Sequence, residues 1–286
     1  MRSVGIQVLA FDRFRYPVVE LVKYAVYGNF HISFIAFAFM QVTAILFNLT
    51  LPLSVVVCIC SGAQFVYTLE HRAGGLEDAS NHADRTAWHG THGLFGDAIL
   101  LGSLALMLAC LPFLNARVLL GAAIISAISV GYYRPLFTRL PPLRRVNFGK
   151  PLVVAVVWAV ATIAIPVAAA GAAPTGLVVT FFGYRVLVLT ANLIVADAND
   201  RIGDQKAGLR TFGTTLTRNA NCNLVALISL AAAIIAFFLS SMGLSLLLFC
   251  ESICWIGLPI LCKTVNRTVW SDLLLICPFL LMAGLS

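Results

Sequence analysis

Nine apolar stretches, each long enough to cross a bilayer, alternate with polar connections along the chain. A transmembrane helix needs about 20 predominantly apolar residues. Stretches of roughly this length lie at residues 31–47, 51–69, 94–114, 118–133, 152–170, 175–196, 221–240, 244–261 and 270–285. This pattern predicts an all-α, polytopic membrane protein with about nine transmembrane helices in one bundle. We therefore expect residues 1–286 to form a single integral membrane domain.

The composition supports the same class of protein. Of the 286 residues, 60% are hydrophobic and only 11% are charged, whereas soluble domains carry about 25% charged residues. Residues 1–27 are charged and amphipathic and lack the short apolar core of a signal peptide, so we expect a cytoplasmic N-terminal segment. The eight cysteines lie in or beside apolar runs, a position that favours packing over metal ligation.

The distribution of basic residues predicts the orientation of the bundle. Long polar loops are expected at 70–93, 134–150 and 197–219, with a short one at 262–269. If these loops and the N-terminus share one side, that side carries every Lys and Arg except Arg117 and Arg185. The positive-inside rule makes it cytoplasmic. The rule also accounts for the net charge of +7, so the charge does not indicate a nucleic-acid partner.

The strongest candidate for chemistry follows the sixth apolar stretch. Residues 197–211 read Asp-Ala-Asn-Asp-Arg-Ile-Gly-Asp-Gln-Lys-Ala-Gly-Leu-Arg-Thr. On a helix, Asp197, Asp200 and Asp204 share one face. Three stacked carboxylates repel one another unless a cation joins them, and Mg²⁺ favours a few carboxylates together with substrate phosphates. Lys206 and Arg210 are placed to take further phosphate charge, so the pattern predicts a bound diphosphate.

This stretch resembles the second Asp-rich motif of the UbiA superfamily of intramembrane prenyltransferases. Members of that family have nine helices, with one Asp-rich motif after helix two and another after helix six, and both places are acidic here. The Tyr-Tyr-Arg-Pro-Leu at 132–136, the Lys-Pro at 150–151 and the Trp-Ala-Val-Ala-Thr at 158–162 also resemble the family's connection of helices four and five. The resemblance therefore extends over most of the chain.

The first Asp-rich motif departs from the family pattern. The family places Asn or Asp, then Asp, then Asp at intervals of four residues, whereas the best register here gives Glu70, Gly74 and Asp78. The central acid is missing, although Glu77 stands beside the third position. The resemblance implies metal ligands at Glu70, Asp78, Asp197, Asp200 and Asp204.

The resemblance implies a Mg²⁺-dependent transfer of an isoprenyl group from a prenyl diphosphate to an aromatic or other lipophilic acceptor within the lipid bilayer. It places the reaction in a cavity that opens at the cytoplasmic face. The catalytic residues implied are Asp200, Asp204 and Lys150. The diphosphate-binding residues implied are Arg72, Arg85, Lys206, Arg210, Tyr133 and Arg139.

Three other readings remain open from the sequence. The same scaffold could serve an isoprenoid cyclase, in which the chain's own double bonds capture the cation. Gly74 in place of an acid is also consistent with a non-catalytic homologue that binds prenyl lipids. A secondary transporter is disfavoured, because no matched pair of interrupted spans appears. Arg185, about three turns inside the sixth stretch, is costly in hydrocarbon, so we expect it to face the cavity or to pair with a polar group.

Overall fold

The chain folds into a bundle of helices. The computed structural model describes residues 20–73, 80–81, 83–133 and 141–239, together with Glu251, Leu275 and Phe279. Within this part of the chain the regular structure is entirely helical. We number ten helices: α1 Phe30–Phe47, α2 Leu53–Ala73, α3 Ala83–Thr91, α4 Gly93–Cys110, α5 Ala116–Tyr133, α6 Gly149–Ala169, α7 Gly176–Asn199, α8 Arg201–Lys206, α9 Phe212–Thr215 and α10 Arg218–Phe237.

Six of these helices are long and apolar enough to cross a membrane: α1, α2, α4, α6, α7 and α10. A seventh helix, α5, is apolar but shorter. Each of the first seven apolar stretches predicted from the sequence thus contains a helix, and the all-α prediction is confirmed for the described residues. The eighth and ninth stretches lie outside them, except for Glu251, Leu275 and Phe279.

The polar connections expected at 70–93 and 197–219 both contain helices. A helix was expected around the acids at 197–204, but the helix α3 was not predicted. The segment 70–93 holds the last turn of α2 and all of α3, and the segment 197–219 holds α8 and α9. Polar composition marks where the chain leaves the hydrocarbon, but it does not stop a helix. In α3, for example, Trp88 is buried against the rings of Tyr24 and Phe95, and this contact gives a short polar helix an apolar face to bury.

The order of the long helices brings their polar ends together. Helices α1, α4, α6 and α10 begin, and α2, α5 and α7 end, at one end of the bundle, which we call the polar end. The helix α2 packs along α4 and α1, and α7 packs along α10 and α6. Small residues allow close approach of the helices, as expected in a membrane. Fully buried alanines include Ala36, Ala38, Ala155, Ala159, Ala191, Ala232, Ala233 and Ala236.

Helix α6 is interrupted by a π-helical turn at Val160–Ala164. Pro166 has no backbone N–H, so it cannot donate to the carbonyl of Thr162 in the preceding turn. That carbonyl instead accepts a 2.8 Å hydrogen bond from the Thr43 hydroxyl of α1, and the Thr162 hydroxyl donates to the carbonyl of Trp158 at 2.7 Å. The hydroxyls thus satisfy backbone groups that would otherwise be costly inside a membrane.

Candidate functional site

An ionic cluster of one lysine and two aspartates lies at the polar end. The Lys150 ammonium, in the first turn of α6, is 3.0 Å from a carboxylate oxygen of Asp197 and 3.4 Å from one of Asp204. The two carboxylates are 3% and 4% exposed, and the lysine side chain is 24% exposed. The structure therefore brings together three of the residues predicted from the sequence, with the cation between the two acids.

The backbone around Asp200 places these acids on the same side. Helix α7 ends at Asn199, and Asp200 stands at the junction with α8 with φ −84° and ψ 6°. Its carbonyl accepts from the Asp204 N–H at 3.0 Å, so the helical path is nearly continuous. Asp197 and Asp204 both point inward, whereas Asp200 is less buried. Asp197 and Asp204 therefore both lie on the buried side although they belong to two helices, and the shared face with Asp200 stays a prediction.

Helix α9 packs against the end of α7 that carries Asp197. It packs so closely on the end of α7 that a Cβ atom at Gly213 would overlap the carbonyl oxygen of Asp197. Thr211 and Thr214 form a reciprocal capping box that starts this helix, and Gly208, with φ +70°, ends α8 just before it. Sequence reasoning missed Gly213, because nothing local marks a glycine required by a neighbouring helix.

The ionic cluster has oxygen atoms available for a hard cation. Burial raises the pKa of the Asp204 carboxyl above its ordinary value, while the Lys150 ammonium and a hydrogen bond with Thr211 oppose that rise. The second carboxylate oxygen of Asp197 is buried and has no hydrogen-bond partner among the described residues. Carboxylate oxygens suit Mg²⁺. Within the described ranges no group of three His, Cys, Asp or Glu side chains is arranged to hold a metal ion. The two acids fit Mg²⁺ by the chemistry of their oxygens, because this ion takes a few carboxylates together with water and substrate phosphates.

The segment that follows α2 docks onto the Asp-rich turn. The Asn81 amide nitrogen donates to the carbonyl of Asp200 at 3.1 Å, and its oxygen accepts from the Gly203 N–H at 2.7 Å. Lys206 donates to the Ser80 hydroxyl at 3.0 Å. Asn81 was not among the site residues predicted from sequence, yet it joins the regions of both Asp-rich motifs.

The structure distributes the predicted basic residues unevenly. Arg72 is 2.6 Å from Asp97 of α4 and donates to the Gly93 carbonyl, so it is held away from the aspartates by another partner. Arg85 lies within electrostatic range of His31, and Arg210 is exposed. Asp78, Arg139 and the side chain of Tyr133 lie outside the described residues, as do Gly74 and Glu77.

A chain of aromatic side chains leads from the ionic cluster into the bundle, and we call it the aromatic path. Tyr132 interacts electrostatically with Lys150, Glu70, Asp197 and Tyr67. The Tyr67 hydroxyl accepts a 3.1 Å hydrogen bond from the indole N–H of Trp158, and the Trp158 ring lies 6.0 Å from that of Phe39. The aromatic path is Tyr132, Tyr67, Trp158 and Phe39.

A buried ion pair stands at the inner end of the aromatic path. The Arg185 guanidinium carbon lies 4.0 Å from the centre of the Phe39 ring, and one guanidinium nitrogen is 3.8 Å from Glu251. Both charged side chains are 1% exposed. The Tyr184 hydroxyl donates to the other oxygen of Glu251 at 2.7 Å. The prediction that Arg185 pairs with a polar group inside the membrane is confirmed, and the partner is Glu251.

Comparisons with known proteins address the fold. No protein-family model matches the sequence, and no curated protein is significantly similar to it. Among solved structures, the chain is similar to an apo UbiA homologue from Aeropyrum pernix K1, with a TM-score of 0.64 and 17% identity over 88% of this chain and 96% of that one. It is also similar to a UbiA homologue from Archaeoglobus fulgidus bound to GPP and Mg²⁺, with a TM-score of 0.65 and 14% identity over 91% of this chain and 99% of that one.

The resemblance to UbiA proteins inferred from the sequence is therefore confirmed at the level of the fold. The match spans nearly the full length of both UbiA homologues, and the six apolar helices are those of a multi-pass membrane protein. The chain is an integral membrane protein with the UbiA fold.

Proposed function

We propose that the protein is an intramembrane prenyltransferase that moves an isoprenyl group from a prenyl diphosphate to an aromatic or other lipophilic acceptor, with Mg²⁺ as cofactor. The observation that carries the proposal is the ionic cluster of Lys150, Asp197 and Asp204. It lies at the polar end of a bundle with the UbiA fold, and the A. fulgidus protein of that fold was solved with GPP and Mg²⁺. We further propose that the polar end is cytoplasmic.

The acids of the Asp-rich turn would hold the cofactor. Asp197 offers a buried oxygen without a hydrogen-bond partner among the described residues, and Asp204 and Asp200 follow on the same side of the turn. Bound Mg²⁺ would neutralise the charge that develops on the departing diphosphate. We propose that Glu70, near Tyr132, and Asp78 complete the ligand set in place of the acid absent at Gly74.

Lys150 is placed to act on the leaving group. Its ammonium already lies between two carboxylates, so a diphosphate bridged to those carboxylates arrives within reach of a fixed positive charge. Such a charge favours departure of the diphosphate, because it stabilises the charge that forms as the allylic C–O bond breaks. Lys206 and Arg210, at the exposed rim, can contact the outer phosphate, and Arg85 and Arg139 are further candidates. Arg72 is less favoured, because it is paired with Asp97.

The aromatic path suits the capture of the allylic cation by the acceptor. The faces of aromatic rings attract cations, and Tyr132 and Tyr67 lie next to the ionic cluster, where the allylic carbon would become positive. Trp158 and Tyr67 are partly exposed, and we propose that a lipophilic acceptor approaches the cation beside them. Keeping water out of this space protects the cation from hydrolysis.

A second candidate is a non-catalytic protein that binds prenyl diphosphates. It is supported by Gly74, which stands where the first motif of the family has its central acid. Such a protein would bind its ligand but release no diphosphate. An isoprenoid cyclase of the same fold would release diphosphate without an acceptor.

The test is diphosphate release by the purified protein in lipid nanodiscs, with allylic diphosphates of 10 to 20 carbons, with and without Mg²⁺ and an aromatic acceptor. We expect Mg²⁺-dependent release that falls at least about 100-fold in Asp204→Asn, in line with the loss of one charge-stabilising group. The matched control is Asp97→Asn, which removes a half-exposed aspartate that pairs with Arg72 and should leave turnover unchanged. Binding without release would favour the non-catalytic reading, and equal release in the two variants would contradict the proposed site.

A further inference from the structure

The turn that precedes α6 contains a residue with an unusual backbone conformation. In this turn, residues 146–149, the Gly149 N–H donates to the Val146 carbonyl at 3.0 Å, and Phe148 has φ 58° and ψ 2°. These angles lie in the left-handed region, where bulky residues are rare and where glycine or asparagine usually stands. Among the described residues, the other non-glycine residues with positive φ are both asparagines. The turn therefore adopts a conformation that a phenylalanine disfavours.

Two tertiary contacts hold Phe148 in this conformation. Its backbone N–H donates to the Arg210 carbonyl at 3.2 Å, and the centre of its ring lies 4.9 Å from the centre of the Phe212 ring. A strained backbone conformation persists only where the surroundings fix it, and such positions concentrate at functional sites. The conformation of the turn therefore depends on the position of the segment that follows the Asp-rich turn.

That segment, residues 209–211, is in turn fixed to Asp204. The backbone N–H of its first residue donates to the Asp204 carbonyl at 2.9 Å, and the buried side chain of Thr211 forms a hydrogen bond with the Asp204 carboxylate. The same carboxylate lies 3.4 Å from the ammonium of Lys150, which stands two residues after Phe148. The contacts therefore form a closed circuit between the start of α6 and the Asp-rich turn.

We propose that Phe148 is a positioning residue that keeps the Lys150 ammonium between Asp197 and Asp204. The catalytic part of this proposal rests on the proposed function, in which Lys150 acts on the departing diphosphate. A lysine ammonium stands on a flexible four-carbon stem, so its location depends on where the backbone places the base of that stem. The left-handed turn sets this place, because it fixes the first turn of α6 relative to Asp204.

The left-handed conformation, rather than the ring, carries the positioning. A change to an ordinary negative φ would rotate the chain after Phe148 relative to its N–H. The hydrogen bond to Arg210 and the present start of α6 would then be incompatible. The contact with Phe212 stabilises the conformation from outside, whereas a glycine adopts it without a ring. An alanine lacks both the ring and the conformational freedom of glycine.

The experiment compares Phe148→Ala with Phe148→Gly in the purified full-length protein in nanodiscs, with release of diphosphate from a 10-carbon allylic diphosphate measured over a range of its concentrations. We expect the kcat of Phe148→Ala to fall at least about tenfold, because small misplacements of a catalytic group cause losses of this order. Its KM should change by less than about threefold, as expected for an interaction made in the transition state. Phe148→Gly and Phe148→Tyr should both retain most of the wild-type kcat, the first through its backbone and the second through its ring.

The matched control is Phe34, which lies within α1 and is 42% exposed, close to the 39% of Phe148. At Phe34 both substitutions should leave kcat unchanged, and glycine should lower the unfolding temperature more than alanine, as in other helix interiors. A lower kcat for Phe148→Gly than for Phe148→Ala would overturn the proposal, because loss of ring packing alone predicts that order.

A double-mutant cycle with Lys150→Met separates positioning from a purely structural role. If Phe148 acts through Lys150, Phe148→Ala should lower the unfolding temperature in the absence of Mg²⁺ by less in the Lys150→Met background than in the wild-type background. Additive losses of unfolding temperature would overturn the proposal. If the wild-type protein releases no diphosphate, the proposed function fails, and the unfolding cycle alone then decides whether Phe148 positions Lys150.

Discussion

Replacing Lys150 by Met tests the central geometry of the ionic cluster. The substitution keeps the length of the side chain but removes the ammonium that lies 3.0 Å from Asp197 and 3.4 Å from Asp204. At an effective dielectric constant of about 20, each contact at this range is worth about 5 kcal/mol of Coulomb attraction. This attraction is offset by desolvation and by repulsion between the carboxylates. Removing one partner of a buried ion pair typically costs about 3–5 kcal/mol of stability. We therefore expect a loss of roughly 3 kcal/mol of stability in the absence of Mg²⁺.

The same substitution should make Mg²⁺ bind more tightly. Without the ammonium, the two carboxylates repel each other until a cation joins them, so the metal no longer competes with an internal positive charge. A ligand present at 100 times its dissociation constant stabilises the folded state by about 2.7 kcal/mol, which would recover most of the loss. Turnover should nevertheless fall, because Lys150 no longer stabilises the departing diphosphate.

The assay is thermal unfolding in nanodiscs over a series of Mg²⁺ concentrations, accompanied by diphosphate release. The control is Lys23→Met, which removes a lysine paired with Glu20 outside the ionic cluster and should leave the unfolding temperature and its Mg²⁺ dependence unchanged. An unfolding temperature of Lys150→Met equal to that of the wild-type protein at every Mg²⁺ concentration would refute the reasoning.

Three further variants test the surroundings of the ionic cluster. Gly213→Ala should abolish Mg²⁺-dependent diphosphate release, because the new methyl group displaces the end of α7; Gly183→Ala, which meets open space, should be active. Asn81→Leu removes two hydrogen bonds to the Asp-rich turn, each worth roughly 1 kcal/mol. The Mg²⁺ affinity measured by calorimetry should therefore fall at least about tenfold, and an unchanged affinity would contradict a role of Asn81 in holding the turn. Arg185→Met should lower the stability measured by thermal unfolding by about 3–5 kcal/mol, because it leaves the buried charge of Glu251 unpaired. The double variant Arg185→Met/Glu251→Leu should lose less stability, and a larger loss in the double variant would contradict the ion pair.

Much of the fold follows from local sequence patterns. Apolar runs of membrane-spanning length predict the six long helices and the shorter α5, because in hydrocarbon the backbone must satisfy its own hydrogen bonds. The acids at 197, 200 and 204 could be placed on one side for the same local reason. Their position near Lys150 was inferred only through the family resemblance, because the lysine precedes Asp197 by 47 residues and no local rule joins them.

The contacts missed by the sequence analysis are all tertiary. The requirement for Gly213 arises from the backbone of Asp197 in another helix, and the role of Asn81 arises from carbonyl and amide groups that lie more than 100 residues away. A polar residue in a charged loop looks the same whether it is solvated or docked. The helix α3 was missed for a related reason, since its stability comes from rings outside the helix.

The π-helical turn of α6 has a mechanical consequence. It divides the helix into a segment at the polar end, Gly149–Ala159, and a segment at the opposite end, Ile165–Ala169. The junction is hydrogen-bonded to α1 through Thr43. Lys150 lies in the first turn of the segment Gly149–Ala159, about 15 Å from the junction by the helix rise. A tilt of only about 10° at the π turn, where helices commonly bend, would carry the ammonium about 2–3 Å sideways. That displacement is as large as a metal–oxygen distance. A small rotation of the segment Gly149–Ala159 is therefore enough to move the ammonium out from between the two carboxylates and toward an incoming anion.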